Sequence, residues 1–276
     1  MSMSKKFWLL VAVTGLLLQV FARLSAAEVP ANQSQQSELP AKAALSAHEP
    51  IYFIVGGGDD IKARFQISFK YRVFDEDSGI VRGAGWMKLF HFAYTQTSLW
   101  NLSADSAPFE DTSYRPSFYW DFNLPQSEYL PKFIRAGYEH ESNGQGGGAS
   151  RSINTFFVEP FWGGKWHGRD WIVAPKFYAY LSKGEHTENI DEYRGYVDLG
   201  LRYGNEDDWM ASATLRPGYR GRSMMQLDLS YPVRKIFSSR AGGYIYLQIF
   251  HGYGETLLSY NEHAGTQIRL GLAVVR

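Results

Sequence analysis

Along most of this chain apolar and polar residues alternate one for one. Between Ala63 and Val73, the residues Ala63, Phe65, Ile67, Phe69, Tyr71 and Val73 share one phase, and Arg64, Gln66, Ser68, Lys70 and Arg72 share the other. A period of two is that of a β-strand, whose successive side chains point to opposite faces. The pattern returns in Ser113–Asn123, where Tyr114, Pro116, Phe118, Trp120 and Phe122 align. It returns again in Tyr193–Tyr203, in Met225–Tyr231, around Ile245, Leu247 and Ile249, and from Ile268 to Val274. Less regular strands are expected over about 85–99, 132–142, 152–162, 170–181 and 207–217. A poorly patterned twelfth is placed at Glu255–Tyr260, because bacterial barrels favour even strand numbers. Gly56-Gly57-Gly58-Asp59-Asp60 is read as a turn before the first strand.

A soluble sandwich alternates as well, with its apolar face in the core. Repetition of such segments at roughly the 9–11 residues that cross a bilayer argues for a barrel. The 18 Tyr, 18 Phe and 8 Trp recur at segment ends, as interfacial girdles do. After the N-terminus, no stretch reaches the roughly 18 consecutive apolar residues of a spanning helix. The expected fold class is therefore all-β, a transmembrane antiparallel β-barrel of about twelve strands.

Composition narrows the remaining choices. Lysine and arginine total 28, as do aspartate and glutamate, so no basic excess points to nucleic acid. The chain has no cysteine, which removes disulfides, thiolate metal sites and cysteine nucleophiles. Lys5 and Lys6 precede an apolar run from Phe7 to about Ala22, followed by Ser25-Ala26-Ala27. This predicts a secretory signal peptide over residues 1–27, cut near Ala27. Residues 28–50 read as a flexible leader, and 51–276 as the barrel. The mixed inward set Arg64, Lys70, Arg72, Arg194, Asp198, Arg202 and Asp228 suits a plugged interior. The ending Val275-Arg276 lacks the terminal aromatic common in such barrels, so a shortened last strand is expected.

The candidate chemistry lies between His140 and Asn154. Two strand segments flank a turn containing Gly146, Gly147 and Gly148. A hairpin centred at position 147 sets His140 directly opposite Asn154. Cβ atoms of such a pair are about 4.5–5.5 Å apart, within reach of an imidazole–amide hydrogen bond. Ser142 lies two residues along the same strand and so shares the face of His140. One hairpin can thus present nucleophile, base and orienting group. Ile134, Ala136 and Tyr138 are in phase with His140 and Ser142, and Phe156, Val158 and Trp162 with Asn154. This face should meet lipid, where polar groups are costly and become functional candidates. Glu139 and Glu141 have the opposite parity and should face the lumen.

The string His140-x-Ser142-Asn143-Gly144, with Asn154 downstream, resembles the active-site motif of the bacterial outer membrane phospholipase A family. The likeness continues through Ser150-Arg151-Ser152, Ser230-Tyr231-Pro232, Gly252-Tyr253-Gly254-Glu255, Tyr94-Thr95-Gln96 and Ser106-x-Pro108-Phe109, over roughly residues 60–275. The resemblance implies that Ser142 attacks an acyl ester of a phospholipid, His140 is the base and Asn154 orients the imidazole. It implies an oxyanion region at Ser142 and Gly144, and calcium as cofactor. The calcium ligands would be the Gln145 carbonyl and the Ser150 hydroxyl from one chain, and Ser106 from the other chain of an active homodimer. Gln145 stands where the family pattern has arginine, a change that a backbone carbonyl ligand tolerates. Gln96 would hydrogen-bond across the dimer. The expected setting is the bacterial outer membrane. The alternative reading is a catalytically inactive structural barrel or pore. A soluble secreted lipase ranks third, because the strand pattern offers few helices.

Overall fold

The computed structural model describes residues 44–125, 127–237 and 242–276. The signal peptide and the cut near Ala27 lie outside the described residues, as do residues 28–43 of the leader. A two-residue strand, β1 (Leu45–Ser46), is followed by twelve barrel strands. These are β2 (Ile51–Gly57), β3 (Lys62–Arg72), β4 (Phe90–Asn101), β5 (Phe109–Asn123), β6 (Phe133–Ser142) and β7 (Ser152–Trp166). They continue with β8 (Arg169–Lys183), β9 (Val197–Gly204), β10 (Met210–Arg216), β11 (Met224–Pro232), β12 (Tyr244–Tyr253) and β13 (His263–Val275). Each pairs antiparallel with its sequence neighbour, and β13 closes on β2 with Leu272 opposite Phe53. Closure pairs every strand on both edges, which a barrel in hydrocarbon requires.

The alternation read from the sequence becomes inside and outside. On β3, Ile67 and Tyr71 are exposed on the outer wall, whereas Gln66 and Ser68 are buried inside. Phe118, Phe156, Phe177, Leu229, Ile268 and Leu270 are likewise exposed. An apolar exterior around a polar interior is the arrangement that lipid demands. Inside, charges pair along the lumenal wall: Arg135 with Asp121 at 2.8 Å, Lys176 with Glu139 at 2.9 Å, Arg194 with Glu141 at 2.6 Å and Arg216 with Asp198 at 2.6 Å. All of these side chains but Asp121 line a cavity of about 630 Å³.

The structure departs from the sequence reading at both rims. The twelfth strand is Ile51–Gly57, and Glu255–Tyr260 forms none. β2 was hidden because both its faces are apolar: Tyr52 and Ile54 point inward against Tyr246 and Ala273. Residues 255–260 cap the lumen instead, with Leu257 and Tyr260 packed on Ile153 and Ile190. The glycine-rich stretch at Gly56 is accordingly the β2–β3 hairpin and follows the first barrel strand. The strand expected from Tyr193 begins at Val197, because Ile190–Arg194 forms a helical turn that delivers Arg194 to Glu141. The segment expected from 85 begins at Phe90, after a short 3-10 helix over Gly85–Leu89. The last strand is not shortened: β13 has 13 residues.

The leader also ends differently. Residues 44–50, expected to be flexible, are packed against the barrel. Leu45 and Ser46 pair with Tyr71 and Lys70. The His48 ring stacks on Tyr119 at 5.5 Å, and Glu49 meets Arg115 at 2.5 Å. The lumen supplies the partners that these polar residues lack in isolation.

The interior pairs set an expectation for stability. Asp198 accepts two hydrogen bonds from Arg216, each 2.6 Å long. Asp198→Ala strands that guanidinium and should cost about 3–5 kcal/mol. Lys165→Ala, which removes an exposed partner of Asp170, should cost no more than about 1 kcal/mol. Urea unfolding in lipid vesicles measures both, and equal losses would contradict the lumenal account.

Candidate active site

Strands β6 and β7 pair in the register that the hairpin predicts, with His140 opposite Asn154 and Ser142 opposite Ser152. The ladder ends there, and residues 143–151 form the connecting loop, with a 3-10 turn at Gly147–Ala149. Asn143 fastens this loop. Its buried side chain accepts from the Arg151 amide at 2.9 Å and donates to the Ala149 carbonyl at 2.8 Å. Gly144 follows at φ 66°, a left-handed conformation that glycine adopts without strain. A Cβ there would also lie 3.0 Å from the Tyr114 ring.

Among the described residues the imidazole is held on one side only. His140 Nδ1 and Asn154 Oδ1 are 2.8 Å apart. Since Oδ1 accepts, Nδ1 carries the proton and Nε2 is the basic nitrogen. Ser142 is two residues along the same outer face, a rise of about 6.5–7 Å. No Ser142–His140 hydrogen bond forms among the described residues. Such contacts tighten when substrate binds. The Gly144 amide has no hydrogen-bond partner among the described residues, so a donor beside Ser142 stands unused.

Three groups that sequence reasoning missed complete the shell. The Tyr138 hydroxyl donates to Asn154 Oδ1, and Asn154 Nδ2 donates to Ser182 Oγ at 2.7 Å. Tyr138 was visible as an in-phase residue but carried no assigned role. Ser182 gave no signal, because an irregularity in the β7–β8 register brings it opposite Asn154. Tyr114 is the third: it lies between Gln96 on β4 and Ser142 on β6, in one row across the wall.

Glu139 and Glu141 face inward, bound to Lys176 and Arg194, and so are remote from the outer face. Gln96 faces outward and accepts a hydrogen bond from Tyr94 at 3.0 Å. It stands two strands from Ser142, or roughly 10 Å.

The residues expected to hold calcium fall in two loops. Gln145 and Ser150 belong to the 143–151 loop, and Ser106 to the β4–β5 loop over 102–108 at φ 62°. No hydrogen bond joins Ser106 to the other two. No cluster of three or more His, Asp or Glu side chains suited to a metal occurs among the described residues. A cation would therefore rest on neutral oxygens. Among the described residues the Gln145 carbonyl and Ser150 hydroxyl accept no hydrogen bond. Arg151, in contrast, occupies the Ser150 and Gly148 carbonyls. Two or three neutral oxygens fit a hard cation held weakly, with water completing its shell.

Comparison with known proteins matches this arrangement to one family. The family model described as Phospholipase A1 matches residues 19–274. Phospholipase A1 of Escherichia coli (strain K12) is 28% identical over 221 residues, covering 79% of this chain and 69% of the relative. A putative phospholipase A1 of Neisseria meningitidis serogroup B is 30% identical over 227 residues, covering 76% of this chain and 54% of the relative. Among solved structures, outer membrane phospholipase A from Escherichia coli superposes with a TM-score of 0.69 at 23% identity, covering 87% of this chain and 95% of the other. The calcium-bound dimer of the Salmonella typhi outer membrane phospholipase gives a TM-score of 0.70 at 22% identity, covering 86% and 94%.

The staple at Asn143 yields a test that needs no substrate. Asn143→Ala leaves the Arg151 amide and the Ala149 carbonyl unpaired, at about 1–3 kcal/mol for each group left buried. A serine-directed sulfonyl fluoride should label Ser142 more slowly in this variant, while the folded barrel keeps its mobility on a gel. Unchanged labelling would show that the loop holds its shape without Asn143.

Proposed function

The chain belongs to the phospholipase A1 family, and from that premise we propose that it is a calcium-dependent phospholipase of the bacterial outer membrane, hydrolysing the acyl esters of phospholipids with Ser142, His140 and Asn154. The observation that carries this reading is the 2.8 Å contact between His140 and Asn154 on a lipid-facing wall, with Ser142 in phase beside it.

Ser142 Oγ attacks the acyl carbonyl as His140 Nε2 takes its proton. The Nδ1–H stays with Asn154 throughout, which fixes the ring and its tautomer without adding charge. Amide N–H groups at Gly144 and Ser142 are the candidates to meet the developing oxyanion. Collapse breaks the bond to the glycerol oxygen, which leaves with the proton from Nε2. Water, deprotonated at the same nitrogen, then releases the fatty acid and restores Ser142. Calcium, when bound through Gln145, Ser150 and a partner's Ser106, would supply positive charge near that oxyanion.

The proposal includes a homodimer. Gln96 and Ser142 share one row of the outer wall, so a second copy apposed at Gln96 would flank the nucleophile. Pairing two such amides removes their cost in lipid. The pore alternative is disfavoured by the ion pairs that line the lumen and by Leu257 and Tyr260 packed over one rim.

Assay of detergent-solubilised protein on phospholipid tests the proposal. Ser142→Ala should lower turnover more than about 10³-fold with the barrel intact. Asn154→Ala should retain measurable activity, since it removes orientation and leaves the nucleophile. Chelation of calcium should silence the wild-type protein, and calcium should promote cross-linked dimers, more weakly in Gln96→Ala and Ser106→Ala. Full activity in Ser142→Ala would refute the triad. Full activity in a protein that stays monomeric would refute the shared calcium site alone.

A further inference from the structure

On the reading that Ser142 and His140 carry an acyl transfer, the orientation of one amide decides whether the imidazole is a base at all. Asn154 has an accepting oxygen and a donating nitrogen of nearly the same shape. With Oδ1 toward the ring, Nδ1 holds the proton and Nε2 is basic. With Nδ2 toward the ring, Nδ1 must accept, the proton moves to Nε2, and the serine has no base. A carboxylate in this place would have no such ambiguity, because both of its oxygens accept.

We infer that Tyr138 and Ser182 are positioning residues that hold the Asn154 amide in its productive orientation and thereby select the tautomer of His140. Three observations converge. Tyr138 lies two residues from His140 on the same face, and its hydroxyl donates to the same Oδ1 that meets Nδ1 at 2.8 Å. Both lone pairs of that oxygen are then used. On the far side, Asn154 Nδ2 donates to Ser182 Oγ at 2.7 Å.

Ser182 reaches this place through a β-bulge. Thr155 pairs with Tyr180 but Asn154 pairs with Ser182, so Leu181 is the extra residue. In unbroken register Leu181, which is exposed, would face Asn154 and offer no acceptor. A bulge re-aims side chains in this way.

The kinds of hydroxyl also matter, since either could donate or accept. A phenol is the more acidic and therefore the better donor, and an alkyl hydroxyl is the better acceptor. The phenol stands beside the amide oxygen and the alkyl hydroxyl beside the amide nitrogen. Reversing the amide would set both against their preference. On a lipid-facing wall, little water is present to compensate.

The test uses the full-length protein in detergent with ¹⁵N-labelled histidine. NMR reads the tautomer of the neutral His140 ring, and kinetics on a phospholipid separates kcat from KM. Tyr138→Phe and Ser182→Ala should each lower kcat about three- to tenfold, the worth of one hydrogen bond, with little change in KM. Both should raise the fraction of ring protonated at Nε2, and Ser182→Thr should restore the wild-type values. On an Asn154→Asp background, the same substitutions should change kcat by less than about twofold, because no orientation remains to be selected. An unaltered tautomer in both variants, or losses of equal size on the Asn154→Asp background, would overturn the inference. A wild-type protein that hydrolyses no phospholipid would overturn only the hydrolase reading, since the tautomer shift reports the amide without turnover.

Discussion

Pairing of His140 with Asn154 across the β6–β7 ladder is the contact on which this wall depends, and it is fixed from the inner face of the sheet. A slip of one residue would send Glu139 and Glu141 to the lipid face and His140 and Ser142 to the lumen. Several independent contacts forbid it. Glu141 holds Arg194 and accepts from Ser113, and Glu139 holds Lys176. At the other end of the hairpin, Phe133 stacks on Phe161 at 4.2 Å. Gly137 sits so close to β5 that a Cβ would lie 2.1 Å from the Phe118 carbonyl oxygen. The ion pairs and the aromatic pair that line the lumen thus enforce the same register, and the register sets the geometry of the candidate triad.

The height of the site on the barrel follows from where that ladder stops. β6 ends at Ser142, and the loop turns away at once through Asn143 and Gly144. Along the same face away from the rim lie Tyr138, Phe156, Ala136 and Val158, an apolar track in the direction an acyl chain would run. Toward the rim lie the loop amides and the oxygens of Gln145 and Ser150. On the proposed reading, the ester carbonyl would rest where the wall changes from apolar to polar, with its chain along the strands and water reaching it from the loop side. The chemistry needs that boundary, since acylation uses a lipid and deacylation uses water.

Much of this was legible in the sequence because a barrel wall obeys a simple period. Alternation located most strands, and parity separated the lipid-facing His140 and Ser142 from the lumenal Glu139 and Glu141. The glycines of the turn placed Asn154 opposite His140. Legibility failed where the period breaks or where contacts are long-range. β2 is apolar on both faces because Tyr52 and Ile54 pack on Tyr246 and Ala273, strands far away in sequence. Leu257 and Tyr260 looked like a weak strand, but their partners Ile153 and Ile190 make them a cap. His48 and Glu49 sit in a polar stretch that suggests disorder, and only Tyr119 and Arg115 explain their order. Ser182 was hidden for a different reason: one inserted residue shifts its parity, and no pattern in a single strand reveals a bulge defined by its neighbour.

The neutral third residue is itself a consequence of the wall. Between Phe133 and Trp162 on β6 and β7 the charged side chains Arg135, Glu139, Glu141 and Glu159 are all on the inward phase, whereas the outward phase from Ile134 to Ser142 and from Ser152 to Trp162 has none. Inside, each carboxylate or guanidinium can be met by an opposite charge along the lumenal wall, as Glu141 is by Arg194. Outside, no counter-charge stands opposite, and an ionised group would face hydrocarbon at a cost of several kcal/mol. An aspartate beside His140 would carry that cost whenever the ring is neutral. An asparagine avoids it but gives up the symmetry of a carboxylate, so one of its two ends must be chosen. The adjoining hydroxyls of Tyr138 and Ser182 make that choice with neutral groups alone, which is the only kind of control this face of the barrel can hold without charge.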